Sequence, residues 1–196
     1  MATTATAMND PELRYEMSGA GPPVLFLNGL GSRAAHWAYQ RRALESRYRV
    51  ITFDDRGCGH DDVPGQPGDR ICQMADDAVA LLDHLGIERA HLVGPSMGSL
   101  IAQEMALRHP DRVRSLTLAS AWAHAGPLDR ITQPALVLAG EEDTVTPPHV
   151  SRALARALPN ARFKRLPGGS GFIAEHSDRF NETLLGFLSW LGAASA

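Results

Sequence analysis

A serine can act as an acyl-transfer nucleophile when the chain holds it at the tip of a sharp turn. One stretch of this sequence has that form. A short apolar run, His91-Leu92-Val93, leads into Gly94-Pro95-Ser96-Met97-Gly98, and a helix-like run from Leu100 to His109 leaves it. A strand–turn–helix junction this tight leaves no room for a β-carbon at Gly94 or Gly98, and it presents the serine hydroxyl at the helix N-terminus. Free backbone N–H groups and the helix dipole there favour a developing negative charge. Glycine and serine also share ordinary turns, so the strand before and the helix after give the pattern its meaning.

Other candidate groups follow apolar runs, at the strand ends where an open parallel sheet gathers its reactive groups. Asn28-Gly29-Leu30-Gly31 lies directly after Val24-Leu25-Phe26-Leu27. Its glycines let backbone N–H groups face a ligand, and the N–H of Leu30 could pair with that of Met97 as an oxyanion hole. Asp54-Asp55-Arg56-Gly57-Cys58-Gly59-His60 reads as a bracing loop, with Cys58 and His60 structural rather than chemical. Asp143, after the run 135–139, could orient a histidine, and the order serine then aspartate suits a triad. The same residue could simply start the helix that Pro147-Pro148 opens. A Gly-rich loop at 166–176, Leu166-Pro167-Gly168-Gly169-Ser170-Gly171-Phe172-Ile173-Ala174-Glu175-His176, is where a general base should lie.

Positioning these groups requires a sheet covered on both faces. Apolar runs alternate with amphipathic runs in a βαβα order, which predicts an α/β fold with a mostly parallel sheet. Strands are expected at 13–17 (as an edge), 24–27, 49–53, 91–93, 113–119, 135–139 and 162–166. Helices are expected around 37–46, 76–85, 100–109, 148–158 and through the closing run Phe180, Leu184, Phe187, Leu188 and Leu191. Residues 1–10 read as a disordered leader and 11–196 as one domain.

With 196 residues, 44% apolar content and net charge −3, the chain is an ordinary globular protein. Its arginines are scattered, so no basic patch points to nucleic acid, and nothing points to a membrane. Cys58 and Cys72 have neither disulfide-framework nor metal-ligand spacing, and no cofactor or metal is implied. The cytoplasm is the expected location.

Taken together, Asn28-Gly29-Leu30-Gly31, Asp54-x-Arg56-Gly57-x-Gly59, Gly94-x-Ser96-x-Gly98, Gly140-x-x-Asp143 before Pro147, and Pro167-Gly168-Gly169 before the last helix resemble the α/β-hydrolase superfamily, in its branch of small esterases, lactonases and C–C hydrolases. The resemblance runs from Leu13 to Leu191. It implies Ser96 as nucleophile, Asp143 as acid and the N–H groups of Leu30 and Met97 as oxyanion donors. Two departures stand out. Counting back from Glu175 and from Phe180, the family's catalytic histidine falls on position 170, which is Ser170 here, and serine is no general base near neutral pH. The connection from 121 to 134 is also too short for a cap domain, which predicts a lidless, open site lined by Trp122, Met97, Phe172 and Ile173. Neither His176 nor His124 is expected to reach Ser96.

The implied activity is hydrolysis of an ester, lactone or thioester, impaired by Ser170. The alternatives are a non-hydrolytic enzyme, such as a cyclase or eliminase of a biosynthetic pathway, and a ligand-binding pseudoenzyme. An open site would accept small-molecule or carrier-tethered acyl substrates, and a homodimer could cover it.

Overall fold

Val24-Leu25-Phe26-Leu27 and Ala135-Leu136-Val137-Leu138 are apolar at every position, which a strand tolerates only when both sheet faces are covered. That cover is present in the computed structural model, which describes residues 3–7, 13–55 and 67–194. One eight-stranded sheet contains β1 (Thr3–Ala7), β2 (Leu13–Ser18), β3 (Pro23–Phe26), β4 (Arg49–Phe53), β5 (Ala90–Pro95), β6 (Val113–Ala119), β7 (Ala135–Gly140) and β8 (Ala161–Leu166). The spatial order is β1-β2-β4-β3-β5-β6-β7-β8, antiparallel at β1–β2 and β2–β4 and parallel elsewhere.

Strand periodicity sends alternate side chains into two separate cores. Leu25, Leu27, Ile51, Leu92, Leu116 and Val137 join the core under α2 (Pro67–His84), α3 (Met97–Arg108) and α4 (Pro148–Ala157). Val24, Phe26, Val50, Val93, Leu136 and Leu138 join the other, under α1 (Ala38–Leu44), α5 (Phe172–Glu175) and α6 (Ser177–Ala194). Each buried aliphatic or aromatic side chain contributes about 1.5–3 kcal/mol relative to exposure. No helix among the described residues is long and apolar enough to cross a membrane.

The reading of the N-terminal segment needs correction, whereas that of the 121–134 connection does not. Thr3–Ala7, read as part of a disordered leader, pairs with β2 as the outermost strand. Its Thr-Ala composition offers little hydrophobic signal, and β2 is therefore not the edge. The 121–134 connection holds only a short 3-10 turn at Leu128–Arg130, so the fold carries no lid there.

Asp54 and Asp55 follow the end of β4, and Asp54 braces the adjoining loop. Asp54 Oδ1 accepts the Ala34 N–H at 2.9 Å. Asp55 is buried, and burial lifts its carboxyl from its ordinary 3.8 to about 7, although donors on Asn28 pull the other way. Between those values the folded chain holds a proton that the unfolded chain releases, so Asp55 costs stability as pH rises through the window. Asp55→Asn is therefore expected to gain stability relative to the parent from about pH 4 to about pH 7, then plateau. Thermal denaturation of both proteins across that range checks this. A constant difference would contradict it. Residues 56–60, including Cys58 and His60, lie outside the described residues.

Candidate active site

Only Ser96 separates the last residue of β5, Pro95, from the first of α3, Met97. Its backbone takes φ 49° and ψ −117°, which a non-glycine residue adopts only when its surroundings enforce it, at roughly 1–3 kcal/mol. The enforcing contacts are backbone ones. The Ser96 N–H donates to the Ala119 carbonyl at 2.9 Å, tying the turn to β6. The Ser96 carbonyl accepts from the Ser99 N–H at 2.9 Å and the Ser99 hydroxyl at 2.6 Å. A β-carbon at Gly94 would lie 2.3 Å from the Gly98 carbonyl oxygen, and one at Gly98 would lie 2.5 Å from that of Leu27. Strand, turn and helix are thus pressed together closely enough to require both glycines, and Ser96 is left half-buried.

Asp143 lies in the turn after β7 and is 3% exposed. Its Oδ1 accepts the N–H groups of Val145 at 2.9 Å and Thr146 at 2.8 Å, the turn that precedes α4. Its Oδ2 accepts the hydroxyl of Ser120 at 2.8 Å. Ser120 follows β6 as Ser96 follows β5, and Pro95 pairs with Ala119, so the two serines end neighbouring strands. Like Ser96, Ser120 has a positive φ, 44°.

The loop that carries Ser170 is fastened to the Asp143 turn. The Glu141 N–H donates to the Leu166 carbonyl at 2.8 Å, and the Glu142 N–H donates to that of Gly168 at 3.0 Å. A β-carbon at Gly140 would meet the Gly169 carbonyl oxygen at 2.3 Å. Ser170 is the next residue along and is exposed.

The described histidines nearby have other roles. His124 is held at both ring nitrogens: Nδ1 accepts the Gly126 N–H at 2.9 Å, which leaves Nε2 to donate to Glu104 at 2.9 Å. His176 caps the short α5, and its ring lies under Gly168, where an added β-carbon would meet Cδ2 at 2.8 Å.

Leu30 is 84% exposed, and Met97, Trp122 and Ile173 are half-buried. Phe172 corrects the sequence expectation. It is fully buried in the core, its ring 6.2 Å from that of Phe180, because α5 turns it inward beneath the loop. Among the described residues no cluster of three His, Cys, Asp or Glu could hold a metal ion.

The description "alpha/beta hydrolase fold" belongs to the family model that matches residues 22–130. The chain belongs to the α/β-hydrolase fold family. A protein of Azorhizobium caulinodans named "Putative carbamate hydrolase RutD" is 30% identical over 253 aligned positions, which cover 91% of this chain and 95% of that one. The alignment is longer than the 196 residues present here, so the relative carries residues that this chain lacks. The crystal structure of the enol-lactonase from Burkholderia xenovorans LB400 is similar at a TM-score of 0.87 and 26% identity, covering 94% of this chain and all of that one. An esterase from Thermogutta terrifontis shares the fold at a TM-score of 0.86 and 24% identity, over 97% of this chain and 99% of that one.

Two further side chains of this α/β hydrolase hold the site together: Asn28, within a loop the sequence singled out, and Ser120, which had no signal there. Asn28 donates its amide to the Phe53 carbonyl at 2.7 Å and accepts the Trp37 indole N–H at 2.9 Å, which fixes the loop carrying Leu30. Ser120 acquires its place beside Asp143 only through the pairing of β6 with its neighbours.

Proposed function

We propose that this α/β hydrolase cleaves a carboxylic ester or lactone through Ser96, and that the step is slowed because position 170 holds a serine. The observation that carries this reading is the strained backbone of Ser96, the one residue between β5 and α3, which is the geometry of a nucleophile presented at a strand–helix turn. In this reading the Ser96 Oγ attacks the acyl carbon, and the N–H groups of Leu30 and Met97 receive the oxyanion. Asp143 is the acid that would orient an imidazole at position 170. With Ser170 there, the Ser96 proton has no efficient acceptor, so acylation and the later attack of water are both slow.

The names of the relatives support this substrate class. One is called a carbamate hydrolase and another an enol-lactonase, and both names describe cleavage at an acyl carbon bearing a heteroatom. The short 121–134 connection would leave room for a thioester on a carrier as well as for a small molecule. A second reading, a non-hydrolytic cyclisation or elimination in the same pocket, draws on Ser120 rather than an imidazole at Asp143 Oδ2.

An activated aryl ester in excess tests the proposal. The expected result is slow release of one equivalent of phenol per chain, with an acyl group mapped to Ser96 and little further turnover. Ser96→Ala should abolish the release. Labelling elsewhere, or release that survives Ser96→Ala, would defeat it.

A further inference from the structure

Arg47, Arg89 and Arg114 are far apart in the sequence, and the fold gathers them. They stand at the amino ends of β4, β5 and β6, on the opposite side of the sheet from the Ser96 turn. There they rim a cavity of about 610 Å³ whose floor includes the buried Tyr48, His91 and Leu188. Each guanidinium is anchored through one nitrogen. Arg47 Nη2 donates to Ser189 Oγ at 3.2 Å, Arg89 Nη2 to the Val113 carbonyl at 3.1 Å, and Arg114 Nε to the Arg89 carbonyl at 3.2 Å. A guanidinium has five N–H donors, so most of them remain for a ligand.

Among the described residues no ion pair joins these arginines to a carboxylate, and no acidic side chain lines the cavity. This positive cluster sits on a chain whose net charge is −3, so it runs against the overall sign. We propose that the cavity binds the phosphoryl group of a small organic phosphate, with Arg47, Arg89 and Arg114 around the anion and Tyr48 and Leu188 beneath its organic part. A carboxylate offers one charge to one guanidinium fork. A phosphoryl group brings about two charges and three free oxygens, enough to engage several forks at once.

His91 makes occupancy measurable. Its Nδ1 lies 2.8 Å from Ser115 Oγ, and burial, then the charges of Arg114 and Arg89, push its pKa down to about 4. The titratable and charged groups that share the cavity with it are Arg47 and Tyr48 ahead of β4, Arg89 at the start of its own strand and Arg114 on β6, while α6 brings the uncharged Leu188 and Ser189. An anion among the arginines offsets their charge, so its binding should raise the His91 pKa.

The experiment titrates inorganic pyrophosphate into the full chain at constant ionic strength and follows the His91 ring by NMR. The resonance is assigned with His91→Gln. The expected result is a saturable shift with a raised His91 pKa, its midpoint weakened about tenfold or more by Arg89→Ala and by Arg114→Ala. Both arginines are exposed, so the variants should fold, and an unchanged spectrum elsewhere verifies that they do. Failure to saturate by about 10 mM would overturn the proposal. So would an equal shift with chloride at the same ionic strength, or a midpoint that neither substitution moves. Ester turnover plays no part in this readout, so the outcome is separate from that of the proposed hydrolase activity.

Discussion

Ser170→His is expected to raise turnover of an activated ester by at least about 10³-fold. In a serine protease, removing the triad histidine costs about a million-fold, and the oxyanion hole and binding alone retain roughly 10³–10⁴ over water. The lower figure allows for an imidazole that lands imperfectly, since misplacement by about 1 Å can cost about a hundredfold. The loop geometry favours a near fit. Glu141, Glu142 and Gly140 are bonded to or pressed against residues 166–169, so position 170 is carried on the same rigid corner as Asp143. The new ring would share Asp143 Oδ2 with the Ser120 hydroxyl, and a carboxylate oxygen has a lone pair for each. Asp143→Asn in that background should remove most of the gain, because the ring loses its orienting partner and its correct tautomer. Steady-state rates of parent, single and double variants decide the matter. A gain below about tenfold from a folded Ser170→His protein would place the missing base elsewhere and favour the non-hydrolytic reading.

Gly98→Ala should lower stability strongly, because a methyl group there runs into backbone that cannot yield. The new carbon would sit 2.5 Å from the Leu27 carbonyl oxygen and 2.9 Å from that of Asn28. Both are backbone atoms at the end of β3, so neither can swing aside. The expected loss is about 3 kcal/mol, the upper part of the usual overpacking range. For a chain of this size that lowers Tm by roughly 6–12 °C. Displacing β3 also moves the Asn28-Gly29-Leu30 loop, so any Ser96 acylation should fall with it. Gly186→Ala is the control. It lies within α6 with nothing inside 4 Å of the added carbon, and alanine there should gain up to about 1 kcal/mol. Differential scanning calorimetry of the two variants separates the cases, and equal Tm values would contradict this account of the turn.

Some of this was legible in the sequence, because it is written locally. The uninterrupted apolar runs gave the positions of β3 and β7, and the two glycines around Ser96 record a steric need that the carbonyls of Gly98 and Leu27 now explain. Helix α2 begins at Pro67, well ahead of its readable stripe at Ala75, Ala78 and Leu82, because its first turns carry no comparable stripe. Phe172 and Ile173 are adjacent and equally apolar, and only the short α5 decides that the first faces the core. Ser120 and the arginine-rimmed cavity depend on which strands become neighbours. A serine after a strand, or arginines tens of residues apart, look the same in sequence whether or not the sheet brings them together.

The central claim is that this site lacks a general base at position 170 and little else. The pH–rate profile of Ser170→His tests it most directly, measured from about pH 5 to about pH 9 on an activated ester, beside the parent and Ser96→Ala/Ser170→His. A sigmoid rise with an apparent pKa in the imidazole range, around 6–7, is expected in Ser170→His alone. A rate that climbs in proportion to hydroxide across the whole range, or a sigmoid that persists without the Ser96 hydroxyl, would contradict it.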